Sequence, residues 1–212
     1  MLDLYLIRHA ESEMNLNQHL IGGRSNQTPL SALGNVQALW LGRRLEEQKV
    51  LFDQVYCSTA VRTRQTAKIV CELINYPLED IVYSERILEL DEGDWEGQPR
   101  EQIYTAPILA EINSNNWNFT PPNGESQREV EERMYSWIEE NLLAQPRERL
   151  IAGVFTHGLA IKCLLRGILE SKPGMTYKIE LENTSITRLK YDQNGWHLRT
   201  VNDTGHLNLP KK

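Results

Sequence analysis

The chain has 212 residues, with 23 Lys and Arg against 29 Asp and Glu, so its formal net charge is -6. No apolar run approaches the roughly 20 residues that a membrane-spanning helix needs, and a net acidic chain is a poor match for the phosphate backbone of nucleic acids. A small anionic ligand is not excluded, because it responds to the local charge of a pocket. We therefore expect a single domain over residues 1–212 with neither a nucleic-acid nor a membrane partner.

The cysteines are few and widely spaced, at Cys57, Cys71 and Cys163, and no CxxC pair occurs. An odd number at such spacing argues against zinc knuckles and against a disulfide framework. Met1 runs almost directly into an apolar segment without a basic leader region. These features predict a cytoplasmic protein in a reducing compartment.

Short apolar runs alternate with amphipathic segments through the first third of the chain. Strands are predicted over 2–7, 53–56 and 81–83. Helices are predicted from an N-cap at Ser31 to about residue 47, and from a cap at Ser58 or Thr59 to about residue 74. The side chains expected to face the core are Leu33, Val36, Leu39, Trp40 and Leu45 in the first helix and Ala67, Val70, Cys71 and Ile74 in the second. This alternation predicts an α/β fold with a parallel sheet.

Regularity lapses after residue 88 and then returns. Helical patterns over 100–113 and 126–143 are separated by a segment rich in Asn, Pro and Gly, so we predict a helical insertion at about 94–145 over one edge of the sheet. A fully apolar strand over 150–155 resumes the core and leads into a helix over 159–169. The remaining predicted strands are 177–181, 185–191 and 196–201, the last two joined by a hairpin turn at Asn194 and Gly195.

Two histidines follow directly on predicted strands, and this placement is the main functional signal. His9 comes after the predicted strand over 2–7, and His157 comes after the predicted strand over 150–155. Ligands of α/β sheets bind at the carboxyl ends of strands, so both imidazoles would meet in one crevice if these strands are neighbours. Arg8 and Arg62 follow strands at the same edge. Two guanidiniums and two imidazoles form a pocket for a tetrahedral anion such as phosphate.

The surrounding motifs resemble the histidine phosphatase (phosphoglycerate mutase-like) superfamily over nearly the whole chain. LIRHAESEMN at 6–15 resembles the LxRHGExxxN signature of the family, and CSTAVRTRQTA at 57–67 resembles its SxxxRxxQTA segment. Further similar elements, in the family's order, are PLSALG at 29–34, LELDEGDWEG at 88–97, THG at 156–158 and NTSI at 183–186. The chain departs from the family at Ala10, where Gly is usual, and at Thr156, where Ser or another small residue is common. The resemblance implies a three-layer α/β/α sandwich with a mostly parallel sheet.

The resemblance also implies a role for each matched residue. His9 would attack phosphorus and become a phosphohistidine, while Arg8, Arg62 and His157 hold the phosphoryl oxygens without a metal or cofactor. Glu89 would protonate the leaving oxygen and then activate water, in competition with its neighbours Asp91, Glu92 and Glu96. Asn15 would add a neutral donor or orient the loop.

Substrate-selecting residues are expected in the loop at 22–26, in the insertion and in the tail. Gly22 and Arg24 in the loop, Glu92 and the tail residue His206 are the candidates. A zwitterion such as phosphoserine would pair its carboxylate with Arg24 and its ammonium with Glu92, although both side chains are equally consistent with mere solvation. The chain also resembles, loosely, the metal-independent phosphoserine phosphatases. An α-ribazole phosphate or sugar phosphate is the competing substrate.

Other readings of the same residues remain open at this point. The short chain and its GDWEG and NTS elements favour a phosphatase of a small phosphorylated metabolite over a phosphoglycerate mutase, which must shield phosphohistidine from water. Cys57 lacks the arginine that a Cys-x5-Arg phosphatase needs, and no Walker A loop occurs. A non-enzymatic anion-binding module would keep the arginines without needing both histidines. Arg64 is expected in a structural ion pair, His19 and His197 at the surface, and the β-rich C-terminal third at a homodimer contact.

Overall fold

The computed structural model describes residues 1–144 and 148–207, so the predicted end of the insertion at residue 145 lies outside the described residues. The strands are β1 (Leu2–Arg8), β2 (Gln54–Ser58), β3 (Val82–Ser84), β4 (Leu150–Thr156), β5 (Ile186–Asp192) and β6 (Gly195–Asp203). The α-helices are α1 (Glu13–Leu16), α2 (Ala32–Glu47), α3 (Val61–Leu73), α4 (Arg100–Ile103), α5 (Ala106–Asn115), α6 (Gln127–Ile138) and α7 (Gly158–Ile168). A π-helical turn, Glu139–Leu143, follows α6, and 3₁₀ turns lie at Leu78–Asp80, Glu85–Ile87, Gly93–Trp95, Pro173–Lys178 and Gly205–Leu207.

The six strands form one mixed sheet in the order β3-β2-β4-β1-β5-β6. The first four strands along the chain pair in parallel, whereas β5 and β6 add an antiparallel hairpin at one edge. Gly195, at a φ of 91°, supplies the positive dihedral of that hairpin turn. The predicted α/β class with a mostly parallel sheet is confirmed. A homodimer contact at the β-rich edge stays a prediction.

Helices cover both faces of the sheet because the central strands bury side chains on both sides. Along β1, Leu4 and Leu6 belong to the cluster that contains α6 and α7, while Tyr5 and Ile7 belong to the cluster that contains α2 and α3. Such two-sided burial is typical of a parallel sheet between helical layers. The result is the three-layer sandwich that the resemblance implied. No helix among the described residues is long and apolar enough to cross a membrane.

The buried face of α2 differs from the predicted one. Leu33, Val36 and Leu39 are 38–47% exposed and Trp40 is half-buried, whereas the buried positions are Gly34, Ala38, Leu41, Gly42 and Leu45. The reason is close approach, because a Cβ on Gly34 would lie 1.9 Å from the Glu11 carbonyl oxygen. Gly and Ala contribute little to a hydrophobic pattern, so the spacing of the large apolar residues indicates the wrong face of α2. The predicted core stripe of α3 is buried as expected.

Three further boundaries are corrections. The predicted strand at 177–181 is wrong, because Pro173–Lys178 is a 3₁₀ turn. A further strand could not pair with β1 either, because β4 and β5 already occupy its two sides. Helix α3 is capped by Ala60, not by Ser58 or Thr59, because the Ser58 hydroxyl bonds to His157 instead. The helix predicted over 100–113 is broken, since Pro107 starts a new helix at its first turn.

Candidate active site

The two strand-end histidines meet as the topology requires. Strands β1 and β4 are parallel neighbours in which Arg8 is opposite Thr156, so His9 and His157 leave the sheet side by side. Their ring centroids are 5.2 Å apart, and the His9 amide donates to the Thr156 carbonyl at 3.0 Å. Ala10 and Thr156, the two departures from the family pattern, are accommodated by hydrogen bonds to Thr66 and Ile87.

The hydrogen bonds of His9 fix its neutral tautomer. A guanidinium can only donate, and Arg62 Nε lies 3.1 Å from Nε2 of His9, so Nε2 carries the lone pair. Nδ1 therefore bears the proton and donates to the Ala10 carbonyl at 2.7 Å. Burial, together with Arg62 and Arg8, holds the pKa of His9 well below its usual value. The ring is thus neutral, and its basic nitrogen, Nε2, is the atom that could act as a nucleophile.

Arg62 connects the parts of the site. Besides His9, its guanidinium donates to Nδ1 of His157 at 3.0 Å and to the carbonyl oxygens of Arg24 and Ser25 at 2.7 and 3.0 Å. Burial lowers its pKa to about 10, so the side chain stays cationic at neutral pH. This geometry fixes a positive charge against the nucleophile.

Arg8 has unused hydrogen-bonding capacity at the same place. One terminal nitrogen donates to the Leu181 carbonyl, but Nε is buried without a hydrogen-bond partner among the described residues. A buried donor without a partner is costly, and an anionic oxygen would satisfy it. A Cβ on Gly158 would lie 3.2 Å from this Nε, so the glycine leaves the guanidinium room.

His157 lies behind Arg62 and not on the cavity wall. It is fully buried, and because Nδ1 accepts from Arg62, its Nε2 donates to the Ser58 hydroxyl at 2.7 Å. Burial, followed by Arg62 and His9, keeps the pKa of His157 well below its usual value. A direct contact of His157 with a phosphoryl oxygen stays a prediction, and in the structure its Nδ1 faces the Arg62 guanidinium.

The carboxylate of Glu89 is held at the start of α7. It accepts from the backbone amides of Leu159 and Ala160 at 3.1 and 2.9 Å, and from Leu90 at 3.0 Å. A helix N-terminus favours a negative group, which explains why a carboxylate occupies this position. Glu89 also lines the cavity that contains His9. The role of Glu89 as the proton donor stays a prediction.

Glu96, which the sequence offers only as a competitor of Glu89, is a positioning residue. Its two oxygens accept from the backbone amides of Arg24 and Ser25 at 2.5 and 3.1 Å, the residues whose carbonyls hold Arg62. Gly23 is required there, because a Cβ would lie 2.2 Å from the Glu96 carboxylate and φ is 53°. In the sequence, the sign of this close approach is the pair Gly22 and Gly23 directly before Arg24.

Comparison with known proteins identifies the family. The histidine phosphatase superfamily (branch 1) matches residues 4–204. The chain belongs to this superfamily. A Cronobacter sakazakii protein named "Probable phosphoglycerate mutase GpmB" is 31% identical over 224 aligned positions, which cover 99% of this chain and 97% of that protein.

Solved structures of the superfamily share the fold. A phosphoserine phosphatase mutant from Entamoeba histolytica in complex with phosphoserine aligns at a TM-score of 0.80 and 26% identity, over 98% of this chain and 100% of that chain. The alpha-ribazole phosphatase from Shigella flexneri aligns at a TM-score of 0.77 and 25% identity, over 95% and 96%. The resemblance read from the motifs is therefore confirmed.

The predicted substrate-selecting residues of this superfamily member lie in different surroundings. Gly22 and Asn15 line the cavity, and Asn15 Oδ1 accepts from the Ser12 amide at 3.0 Å and from Asn183 at 3.3 Å. Arg24 instead forms ion pairs with Asp91 at 3.1 Å and Glu125 at 3.5 Å. The expectation that it is open to a substrate carboxylate is not supported.

Glu92 lines the cavity but is not a dependable anion. Burial, with a further contribution from Glu89, raises its pKa to about 7. Pairing with a substrate ammonium would therefore include the free-energy cost of ionising this carboxyl near neutral pH. Arg64, expected in an ion pair, stacks over the Tyr83 ring at 5.2 Å instead.

His206 lies outside the cavity, contrary to the expectation that it reaches the site mouth. It is buried, with Nε2 2.8 Å from the Thr184 hydroxyl and Nδ1 3.4 Å from Arg44. Burial lowers its pKa to about 4. The amide of Thr184 donates to the Arg8 and His9 carbonyls, so His206 packs behind the catalytic loop.

The cavity in front of His9 has a volume of about 520 Å³ and extends toward the predicted insertion. Its lining includes Arg100 and Tyr104 of the α4 region and Tyr177, none of which the sequence motifs indicated. Among the described residues, no group of three or more His, Cys, Asp and Glu side chains is arranged to hold a metal ion.

Proposed function

We propose that the protein is a phosphatase that hydrolyses small phosphomonoesters through a phosphohistidine on His9, without a metal ion. The observation that carries the proposal is the neutral His9 ring, whose basic atom Nε2 faces a cationic Arg62 beside an unpartnered Arg8 Nε. These donors suit the oxygens of a phosphoryl group, whose transfer depends mainly on positioning and charge stabilisation. A simple anion-binding module would gain nothing from the controlled tautomer of His9.

The reaction has two balanced steps. In the first, Nε2 of His9 forms a bond to phosphorus, the ester P–O bond breaks, and the leaving oxygen takes a proton from Glu89. In the second, Glu89 takes a proton from water, the water oxygen attacks phosphorus, and the N–P bond breaks. The products are an alcohol and inorganic phosphate, and both His9 and Glu89 return to their starting states.

A phosphoglycerate mutase is the second candidate, because relatives that are 28–31% identical carry that name. A mutase acting on phosphoglycerate must bind a carboxylate as well as a phosphate. Arg24, the expected partner of that carboxylate, is occupied by Asp91 and Glu125. The phosphatase names of solved relatives at 25–26% identity also favour hydrolysis.

The same pairing weakens the expectation of phosphoserine as the substrate. That expectation needed an available Arg24 and an anionic Glu92, and neither condition fits the contacts and the raised pKa described above. Its remaining support is the related phosphoserine phosphatase.

The test is phosphate release from a panel of small phosphomonoesters in the presence of EDTA, comparing the wild type with His9→Ala. We expect turnover to survive chelation and His9→Ala to lower it by about 10⁴-fold or more, as expected for loss of a nucleophile. His197→Ala, at a partly exposed histidine paired with Asp192, is the matched control. Equal turnover by His9→Ala would refute the nucleophile. Interconversion of 3- and 2-phosphoglycerate faster than phosphate release would instead favour the mutase.

A further inference from the structure

The cavity is larger than a phosphoryl group requires, and its far half has a different chemistry. Away from His9 the wall is built mostly of aromatic and aliphatic side chains: Trp95, Tyr104, Leu109, Ile112, Phe119 and Tyr177. A volume of about 520 Å³ falls in the range of pockets that enclose whole organic ligands. The far half is therefore available to the leaving group of the ester.

The rings of this far half are held in place by one another. Trp95 is buried and packs edge-on against Tyr104, with ring centroids 6.0 Å apart and an interplanar angle of 88°. Phe119 also contacts Trp95, with ring centroids 5.5 Å apart. Aromatic walls fixed in this way favour burial of another apolar ring.

The far half contains buried hydrogen-bond acceptors. Gln127 Oε1 and Asn116 Oδ1 are buried acceptors without a hydrogen-bond partner among the described residues, and both residues line the cavity. Glu92 lines it as well, whereas the Glu125 carboxylate is paired with Arg24 and Arg133. The cation of this half, Arg100, is exposed, donates from Nε to the Leu20 carbonyl and stacks over Tyr104. A carboxylate placed against the two unpartnered acceptors would be repelled, whereas an uncharged group would not.

We propose that the far half of the cavity selects an uncharged, ring-bearing leaving group, so that the substrate is the phosphomonoester of an aryl-bearing alcohol and not of a carboxylate-bearing one. This inference rests on the proposed phosphatase function. The ring would lie between Tyr104, Leu109 and Phe119 while the phosphoryl group occupies the Arg8–Arg62 end.

The first experiment compares kcat/KM for 2-phenylethyl phosphate, ethyl phosphate, O-phosphoserine and 3-phosphoglycerate. The first two alcohols have similar acidity, so their phosphates differ mainly in binding at the far half. We expect 2-phenylethyl phosphate to be preferred by about 30-fold over each of the others, in line with burial of one ring. Ethyl phosphate or phosphoserine reacting as well as 2-phenylethyl phosphate would overturn the inference.

A binding measurement separates this inference from the proposed function. The corresponding phosphonates cannot be hydrolysed, so calorimetry with 2-phenylethylphosphonate and ethylphosphonate reports the cavity alone. Tighter binding of the aryl compound without turnover of any ester would refute the phosphatase and retain the aryl preference. Equal affinities, with His9-dependent hydrolysis, would retain the phosphatase and refute the aryl preference.

Two adjacent residues of α5 supply a matched pair of variants. Leu109 is 43% exposed and lines the cavity, whereas its neighbour Ala110 is exposed and does not line it. We expect Leu109→Asp to lower kcat/KM for 2-phenylethyl phosphate about tenfold and to change that for ethyl phosphate less than about twofold. Ala110→Asp, which adds the same charge, should change neither. An equal loss for both substrates in Leu109→Asp would contradict a leaving-group pocket.

Discussion

The two ends of the cavity are built on different principles. At the phosphoryl end, His9 and Arg62 are fixed by hydrogen bonds to the backbone and to each other. His9 directly follows β1, and Arg62 lies in the first turn of α3, the helix that follows β2. At the leaving-group end, the wall comes from α5 and loops whose contacts are mainly between rings. Under the two proposals, the chemistry belongs to the sheet edge, and the selectivity belongs to the segment between β3 and β4 together with Tyr177.

The largest effect that separates the two ends is expected for Arg62→Lys. A lysine cannot reproduce the fork that joins His9, His157 and two carbonyls, so kcat/KM should fall by about 10³-fold for every ester, whatever its leaving group. Steady-state phosphate release with 2-phenylethyl and ethyl phosphate checks this. Arg64→Lys, at an exposed neighbour in the same helix, is the control. A loss confined to one ester would contradict a purely phosphoryl role for Arg62.

The next effect concerns the pH dependence of stability. His9, His157 and His206 have folded-state pKa values lowered by burial, whereas an unfolded histidine has a pKa of about 6.5. Below pH 6.5 the unfolded chain therefore binds protons that the folded chain does not, and stability falls as pH falls. We expect a loss of about 1 kcal/mol per histidine between pH 7.5 and 5.5.

Urea unfolding at the two pH values measures this loss. His206→Asn, which lies behind the phosphoryl end, should reduce the pH-dependent loss by one histidine's share. His19→Asn, at an exposed position, should leave it unchanged. The same pH dependence in His206→Asn and in the wild type would show that His206 is not held neutral by the fold.

A smaller effect is expected for Glu96→Gln, because Glu96 acts through the loop that supports Arg62. Losing the anionic acceptor for the Arg24 and Ser25 amides should lower kcat about tenfold for all esters and leave KM nearly unchanged. Asp94→Asn, two residues away and exposed, is the matched control. A change in KM alone would place Glu96 in substrate binding instead.

The smallest effect should come from Glu92→Gln at the junction of the two ends. Because the pKa of Glu92 is about 7, its carboxyl becomes charged above that pH and then disfavours the bound phosphate dianion. We expect the wild type to lose about two- to threefold in kcat/KM between pH 6.5 and 8 relative to Glu92→Gln on the same ester. Parallel pH profiles would show that Glu92 does not interact with the substrate.

The phosphoryl end could be predicted from sequence because its residues lie in short contiguous motifs at strand ends. His9, Arg8 and Glu89 each follow or precede a recognisable element, and parallel strands bring such positions together. The hydrogen bonds that hold His157 against Arg62 could not be predicted, since they come from side chains of β2 and α3.

Most features of the leaving-group end could not be predicted from the sequence. Arg24 and Glu92 were assigned to the substrate because their charges looked available, but ion pairing with Asp91 and burial changed both. Pro107 is a local sign that α4 and α5 are separate, but the periodicity over 100–113 does not indicate that Leu109 faces a cavity. Contacts between residues distant in sequence decide the pairing of Arg24, the burial of Glu92 and the position of Leu109, and a single sequence does not display them.

The central claim is that Nε2 of His9 is transiently phosphorylated. The most direct measurement is an alkaline quench during turnover, which preserves phosphohistidine, followed by peptide mapping by mass spectrometry. We expect phosphate on the peptide that contains His9, at the histidine, and its disappearance when substrate is exhausted. Turnover without any adduct, or with the phosphate on a different residue, would contradict the account.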